Sequence, residues 1–272
     1  MITSLANDRV RRVVSYVEKS KARREDGVFI IEGMKMLREA PVLQVSEVFV
    51  TEKFADQAGE EDKEILWRYG AETVSEEVMD KMSDTQTPQG VLAVVRHYDY
   101  TLDEVIEGYS AGSEEGKTSP LILILENIQD PGNLGTMLRS GEGAGVTGVV
   151  LTKGCADIYN PKVIRSTMGS IFRVPYVYVE SASRIVRALE DRGIHTYAAH
   201  LKGRQNYDEF DYTRPTAFLI GNEGKGLTIE AAEAAGTKIL IPMKGEVESM
   251  NAATSSAILT FEAARQRRRV KR

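Results

Sequence analysis

Three polar segments carry residues whose types and spacing could do chemistry. They are Glu126-Asn-Ile-Gln-Asp-Pro-Gly-Asn133 with the helical stretch running on to Arg139, Gly221-Asn-Glu223-Gly-Lys-Gly226, and Pro242–Asn251 with Ser249 and Asn251 at its end. Asp130-Pro-Gly reads as a turn, and Asn133 suits the N-cap of the helix that follows. Arg139 falls about two turns into that helix, where a rigid guanidinium fork could grip a phosphate or another anion. The glycines of the second segment let a backbone approach a ligand closely. Plain alternatives exist for each segment: capping for Asn133 and Asn251, a solvated helix face for Arg139, a tight turn for the glycines. Three such segments at one sheet edge say more than any one.

Other chemistries fail on spacing or context. Gly143-Ala-Gly145-Val-Thr-Gly148 matches G-x-G-x-x-G by letter, but it closes a helix and precedes a strand, the reverse of the dinucleotide-binding order. Its glycines are expected to end the helix. Gly224-Lys225 lacks phosphate-loop spacing, because Leu219 and Gly226 stand where that motif needs Gly and Ser or Thr. His97, His195 and His200 are scattered, no G-x-S-x-G elbow is present, and Cys155 is the single cysteine. That pattern offers no zinc site, disulfide or esterase nucleophile, and Cys155 reads as a small buried hydrophobe.

The elements that would position the three segments follow from apolar runs. Leu121–Leu125, Val146–Leu151, Val174–Val179, Ile194–Ala199, Ala217–Ile220 and Ile239–Ile241 read as buried strands. Helical stretches at Leu134–Gly143, Ser183–Arg192 and Ala252–Arg268 lie among them. Nearly continuous apolar strands alternating with helices predict an α/β fold with a parallel sheet covered on both faces. Ligands in such sheets bind beyond the carboxyl ends of the strands, where the three segments fall. Upstream, helices at Val10–Lys19 and Lys35–Ala40 and strands at Gly27–Glu32, Val45–Thr51 and Val91–Val95 predict a smaller α/β domain. A Gly-, Ser- and Glu-rich stretch marks a linker, giving expected boundaries of 1–97, 98–118 and 119–272.

Length and charge agree with this division. A chain of 272 residues has room for about two domains. The net charge of −5 hides an uneven distribution. Residues 1–40 hold nine basic and six acidic residues, and the last eleven hold six basic and one acidic. Clustered positive charge suits a polyanion. No apolar run is long enough to span a membrane. Asp8 and the arginines of the first fourteen residues are unlike a secretory leader, so a cytoplasmic location is expected.

The three segments together resemble the motifs of the SpoU (TrmH-like) RNA ribose 2′-O-methyltransferases of the SPOUT superfamily. The matching stretches are Asn127 to Ser140, Leu219 to Leu227, and Ile241-Pro-Met243 through Ser249-Met-Asn251-Ala-Ala-Thr-Ser255. Lys21-Ala-Arg23 with Phe29-Ile-Ile-Glu32-Gly33 is similar to the ribosomal-protein-like substrate-binding domain of many members. The resemblance implies S-adenosylmethionine as methyl donor, a trefoil-knotted parallel-sheet domain, homodimers formed through it, and RNA, ribosomal 23S RNA foremost, as substrate. Transfer RNA, or a non-catalytic RNA-binding protein that kept the fold, are the alternatives. It maps cofactor contacts onto Leu219, Gly221, Ile241 and Met250, and the reaction centre onto Arg139, Asn133, Glu223, Ser249 and Asn251. The basic N-terminal residues Arg11, Arg12, Lys21, Arg23 and Arg24 are expected to bind RNA. Two departures stand out: Asn222 replaces a small residue, and Met250-Asn-Ala-Ala replaces the commoner Leu-Asn-Val-Ser.

Overall fold

In the computed structural model, which describes residues 1–107, 119–247 and 249–270, the chain divides into two units. The first begins with α1 (Asp8–Glu18), started by the Asn7 side chain, which accepts the Arg9 N–H. Its Val10, Val13 and Tyr16 recur at helical spacing and are buried. There follow α2 (Ser20–Asp26), β1 (Val28–Glu32), α3 (Met34–Glu39), β2 (Val45–Thr51), α4 (Glu52–Gln57), α5 (Glu60–Arg68), β3 (Glu72–Val74), α6 (Glu76–Met82) and β4 (Val91–Arg96). The sheet order is β1-β4-β2-β3, with β4 antiparallel to both neighbours and β2 parallel to β3. Val10, Val13, Ile30, Phe49, Val78, Met79 and Leu92 share its core.

The second unit takes α7 (Leu102–Glu107), β5 (Leu121–Leu125), α8 (Pro131–Ala144) and β6 (Gly148–Thr152). After α9 (Pro161–Thr167) come β7 (Tyr176–Val179), α10 (Ala182–Glu190), β8 (His195–Ala199), β9 (Gln205–Asn206), β10 (Thr216–Ile220), α11 (Ile229–Ala234), β11 (Thr237–Leu240) and α12 (Ala252–Val270). Seven strands lie in the order β7-β6-β5-β10-β8-β11-β9, every pair parallel. This is the expected α/β class. Gly145, at φ 86, ends α8 as a left-handed cap, the role expected for that glycine cluster.

Two boundaries differ from the sequence reading. Residues 157–172, which include α9, group with residues 1–98 rather than with the parallel sheet. Asp157 accepts from Arg23 at 2.6 Å, Arg165 pairs with Asp84 at 2.7 Å, and Tyr159 stacks on Phe29 and His97. Hydrophobic periodicity reports that a segment is buried, not which core buries it. Within the expected linker, Leu102–Glu107 is helix, with Val105 and Ile106 buried against the second unit's core. Its start is a capping box: Glu104 accepts the Thr101 N–H while the Thr101 hydroxyl accepts the Glu104 N–H. Residues 108–118 lie outside the described residues. No helix among the described residues is long and apolar enough to cross a membrane.

Candidate active site

The carboxyl ends of β5, β10 and β11 deliver the three polar segments to one place. After β5, Asp130 caps α8 by accepting the Asn133 N–H at 2.7 Å, with Pro131 opening the helix. Asn133 is therefore not the cap, as its type suggested, and its amide is free for other work. It donates to Glu223 Oε1 at 3.1 Å and accepts from Asn251 Nδ2 at 3.0 Å. Asn251 also caps α12, its Oδ1 accepting from the N–H groups of Ala253 and Thr254. The chain Asn251–Asn133–Glu223 thus ties together loops more than a hundred residues apart in sequence.

Glu223 is held further by the N–H groups of Gln129 and Asp130, each at 3.4 Å. Burial alone pushes its carboxyl up, but the Asn133 amide and the backbone N–H groups outweigh that and hold its pKa below the ordinary glutamate value. The stabilisation is therefore in place above the usual glutamate range and is lost only as pH falls through the lowered folded value. Asn133→Ala is expected to raise the Glu223 pKa, read by NMR titration of the side-chain carboxyl. An unchanged titration would remove the coupling.

Asn222 organises the turn after β10. Its Oδ1 accepts from the N–H groups of Gly224 and Lys225, and its Nδ2 donates to the Asn127 carbonyl at 2.8 Å. A small residue would lack these bonds, so the departure at 222 comes with a turn the asparagine itself braces. Behind it, Glu126 is buried and accepts both the N–H and the hydroxyl of Thr228.

Beside this network lies a cavity of about 310 Å3 lined by Gly221, Glu223, Ile241, Ser249 and Met250, with apolar walls from Leu201, Ile220, Leu227 and Met243. A Cβ at Gly221 would fall 2.2 Å from the Leu227 nitrogen, so this wall is backbone and accepts only glycine. His200 and Lys202, in the loop after β8, also line it and were missed by the sequence reading. The signal was present: that loop leaves the same sheet edge, and the rule that selects the other three selects it too. Burial, then the positive charge of Lys238 and Lys202, lowers the His200 pKa, and its Nδ1 accepts the Lys202 N–H.

Other expected residues are placed differently. Leu219 is fully buried in the sheet core and does not line the cavity. Arg139 does not line the cavity either. Six residues beyond Asn133, it lies about 240° further round α8, with buried Met137, Gly141, Leu134 and Leu138 on the arc between them. It is exposed and has no hydrogen bond or ion pair among the described residues. In the first unit, Arg23 is a correction: at 2% exposure it pairs with Asp157 and donates to the Tyr16 and Val17 carbonyls, so it cannot reach a phosphate. Arg11 pairs with Asp8, Arg12 with Glu47 and Lys21 with Glu25, while Arg24 is exposed with no ion pair among the described residues.

Residues 120–261 match the family model described as the SpoU rRNA Methylase family, and residues 7–93 match the MRM3-like substrate binding domain. The chain belongs to the SpoU rRNA methylase family. It is 32% identical to an uncharacterized tRNA/rRNA methyltransferase of Synechocystis over 97% of this chain and 93% of that one. It is 30% identical to the 23S rRNA (guanosine(2553)-2′-O)-methyltransferase RlmP of Bacillus subtilis over 89% and 90%. The AdoMet-bound rRNA methyltransferase of Sinorhizobium meliloti superposes with a TM-score of 0.83 at 28% identity, covering 97% of both chains. As a SpoU methylase the chain is an RNA methyltransferase, and the Asn251–Asn133–Glu223 network lies beside the cavity lined by Gly221, Ile241 and Met250.

Proposed function

We propose that this chain transfers a methyl group from S-adenosylmethionine to a ribose 2′-hydroxyl of ribosomal RNA, the 23S RNA in particular. The observation that carries the reading is the hydrogen-bonded chain Asn251–Asn133–Glu223 beside a cavity walled by the Gly221, Ile241 and Met250 segments. The cavity suits the donor: apolar side chains flank one wall of backbone, and Ser249 and His200 supply polar groups. Bound there, the donor supplies a sulfonium methyl that is already electrophilic. The protein's task is then alignment, and help with losing a weakly acidic proton. Glu223 stays ionised and orients the Asn133 amide, which in turn fixes Asn251. Ser249 and Asn251 are assigned to the acceptor hydroxyl. Arg139 stabilises developing oxyanion charge or holds a substrate phosphate, since a guanidinium does not give up its proton.

Homodimerisation through the second unit belongs to this reading. Arg139 lies on an exposed flank of α8, where Phe261 of α12 is 45% exposed and lies beside Gly143. An exposed aromatic against Gly143, one turn along α8 from a guanidinium with no ion pair among the described residues, suits a self-complementary face. We place Arg139 in the site of the partner subunit. The trefoil knot belongs here as well; it is consistent with β10 lying between β5 and β8 while α12 returns to pack on α8. Residues 1–97 are assigned to substrate RNA, 119–272 to methyl transfer, and the work to the cytoplasm.

The test is transfer of tritiated methyl from S-adenosylmethionine to an in vitro 23S rRNA transcript, followed by mapping of ribose methylation. Methylation on a base, or on transfer RNA alone, would overturn the assignment. In the same assay Arg24→Glu weakens RNA affinity severalfold and lowers its salt dependence by about one counterion. Unchanged affinity would take the first unit's basic face out of RNA binding.

A further inference from the structure

The turn Asn222–Leu227 has a cavity on each side. One is the cavity assigned above to the methyl donor. The other, of about 200 Å3, lies between this turn and the loop after β5, and is lined by Asn127, Gln129, Asn222, Lys225, Leu227 and Thr228. Asn222, Lys225, Gly226 and Leu227 face both cavities, so the two are separated by one turn of chain. The geometry points to this second cavity as the subsite for one base of the substrate RNA, that of the acceptor nucleotide or its neighbour. The inference rests on the methyl-transfer reading for the identity of the polymer.

The lining has the chemistry for a base edge. The Gln129 side chain is exposed and makes no hydrogen bond among the described residues, although its N–H holds Glu223. A free carboxamide offers a donor and an acceptor side by side, which is what pairs with a base edge. Lys225 has no ion pair among the described residues and supplies positive charge for the adjoining phosphate. Leu227 gives an apolar surface for the ring. The loop is held open by design of its backbone: Asn127 sits at φ 57, a left-handed conformation asparagine tolerates, and its carbonyl is fixed by Asn222. Glu223 takes its bonds from the Gln129 and Asp130 backbone N–H groups, so replacing the Gln129 side chain leaves them in place.

Two measurements on the full chain test this. In the first, Gln129→Ala raises the KM for an in vitro 23S rRNA transcript about tenfold, the worth of one lost amide–base pairing. The kcat at saturating RNA, the S-adenosylmethionine Kd and the melting temperature stay as in the native protein. A native KM, or a loss that falls on kcat or cofactor Kd, overturns the subsite. In the second, the four nucleoside 5′-monophosphates are titrated one by one into 15N-labelled protein. One of them is expected to shift the Gln129 side-chain amide, and S-adenosylmethionine is expected not to displace it. No shift from any of the four, or displacement by S-adenosylmethionine, overturns the subsite. The second measurement needs no methyl transfer, so its failure is distinguishable from a chain that binds no methyl donor.

Discussion

Arg139→Ala leaves S-adenosylmethionine affinity within about twofold of native and lowers methyl transfer by a factor on the order of 10²–10³, the cost of removing one preorganised donor from developing charge. Cofactor binding survives because Arg139 does not line the cavity formed by Gly221, Ile241 and Met250. The fold survives because the side chain is exposed and bonds to nothing among the described residues. Arg139→Lys recovers little, since a point charge on a flexible stem does not replace a planar fork. Subunit mixing then locates the residue. Arg139→Ala and Asn251→Ala are each defective alone. If Arg139 serves the partner subunit, half of the mixed dimers are hybrid and each hybrid carries one complete site, so about one quarter of native activity returns. If Arg139 serves its own subunit, both hybrid sites are defective and mixing restores nothing. Near-native turnover by Arg139→Ala alone would remove Arg139 from the reaction altogether.

The position of Arg139 shows where sequence reading stops. Its type and its place in the first motif identify it as a candidate, yet the helical spacing that predicts α8 also puts Arg139 on the other flank of the buried stripe from Asn133. Spacing along one chain carries no information about a second copy. From its type Asn133 reads either as a cap or as a residue of the reaction centre, because Asp130, one turn earlier, reads only as part of the turn. Asp130 stands one turn ahead of Asn133 and accepts its N–H, so it takes the cap and leaves the Asn133 amide to bridge Glu223 and Asn251. Strands such as β5 and β10 were plain because every residue in them is buried, which leaves an unbroken apolar run. The elements between β2 and β4 were not, because α5 buries only Leu66 and β3 spans three residues. Arg23 misled for a related reason: a basic residue in a basic cluster looks solvated, and only tertiary contact shows it closing on Asp157.

Arg267→Ala is expected to lower stability by roughly 2–4 kcal/mol, from the loss of charge-assisted hydrogen bonds to backbone carbonyls, two of which have no other donor among the described residues. The guanidinium donates to four backbone carbonyls: Tyr212 at 2.9 Å, Ser119 at 2.5 Å, Pro120 at 2.8 Å and Arg214 at 2.9 Å. The Pro120 and Arg214 carbonyls also accept from Thr216, so the loss falls mainly on Tyr212 and Ser119. Burial lowers the Arg267 pKa, and among the described residues no carboxylate pairs with it, so backbone dipoles alone hold the charge. Next to it Gln266 accepts the Tyr212 N–H and donates to the Phe210 carbonyl. Together the two side chains fasten the end of α12 to the entries of β5 and β10. The opposite end of α12, about 24 Å away at 1.5 Å per residue, carries Asn251 and the site. Loosening this latch therefore frees the helix that holds Asn251 against Asn133. At about 2–4 °C per kcal/mol for a chain of this size, the midpoint of thermal unfolding falls by roughly 5–15 °C. Arg267→Lys retains part of the stability, because an ammonium reaches fewer of the four acceptors. Exchange of the Ala253 and Thr254 N–H groups, which Asn251 caps, is expected to rise in Arg267→Ala. A variant that melts within 2 °C of native would show that the four carbonyls are satisfied without the guanidinium.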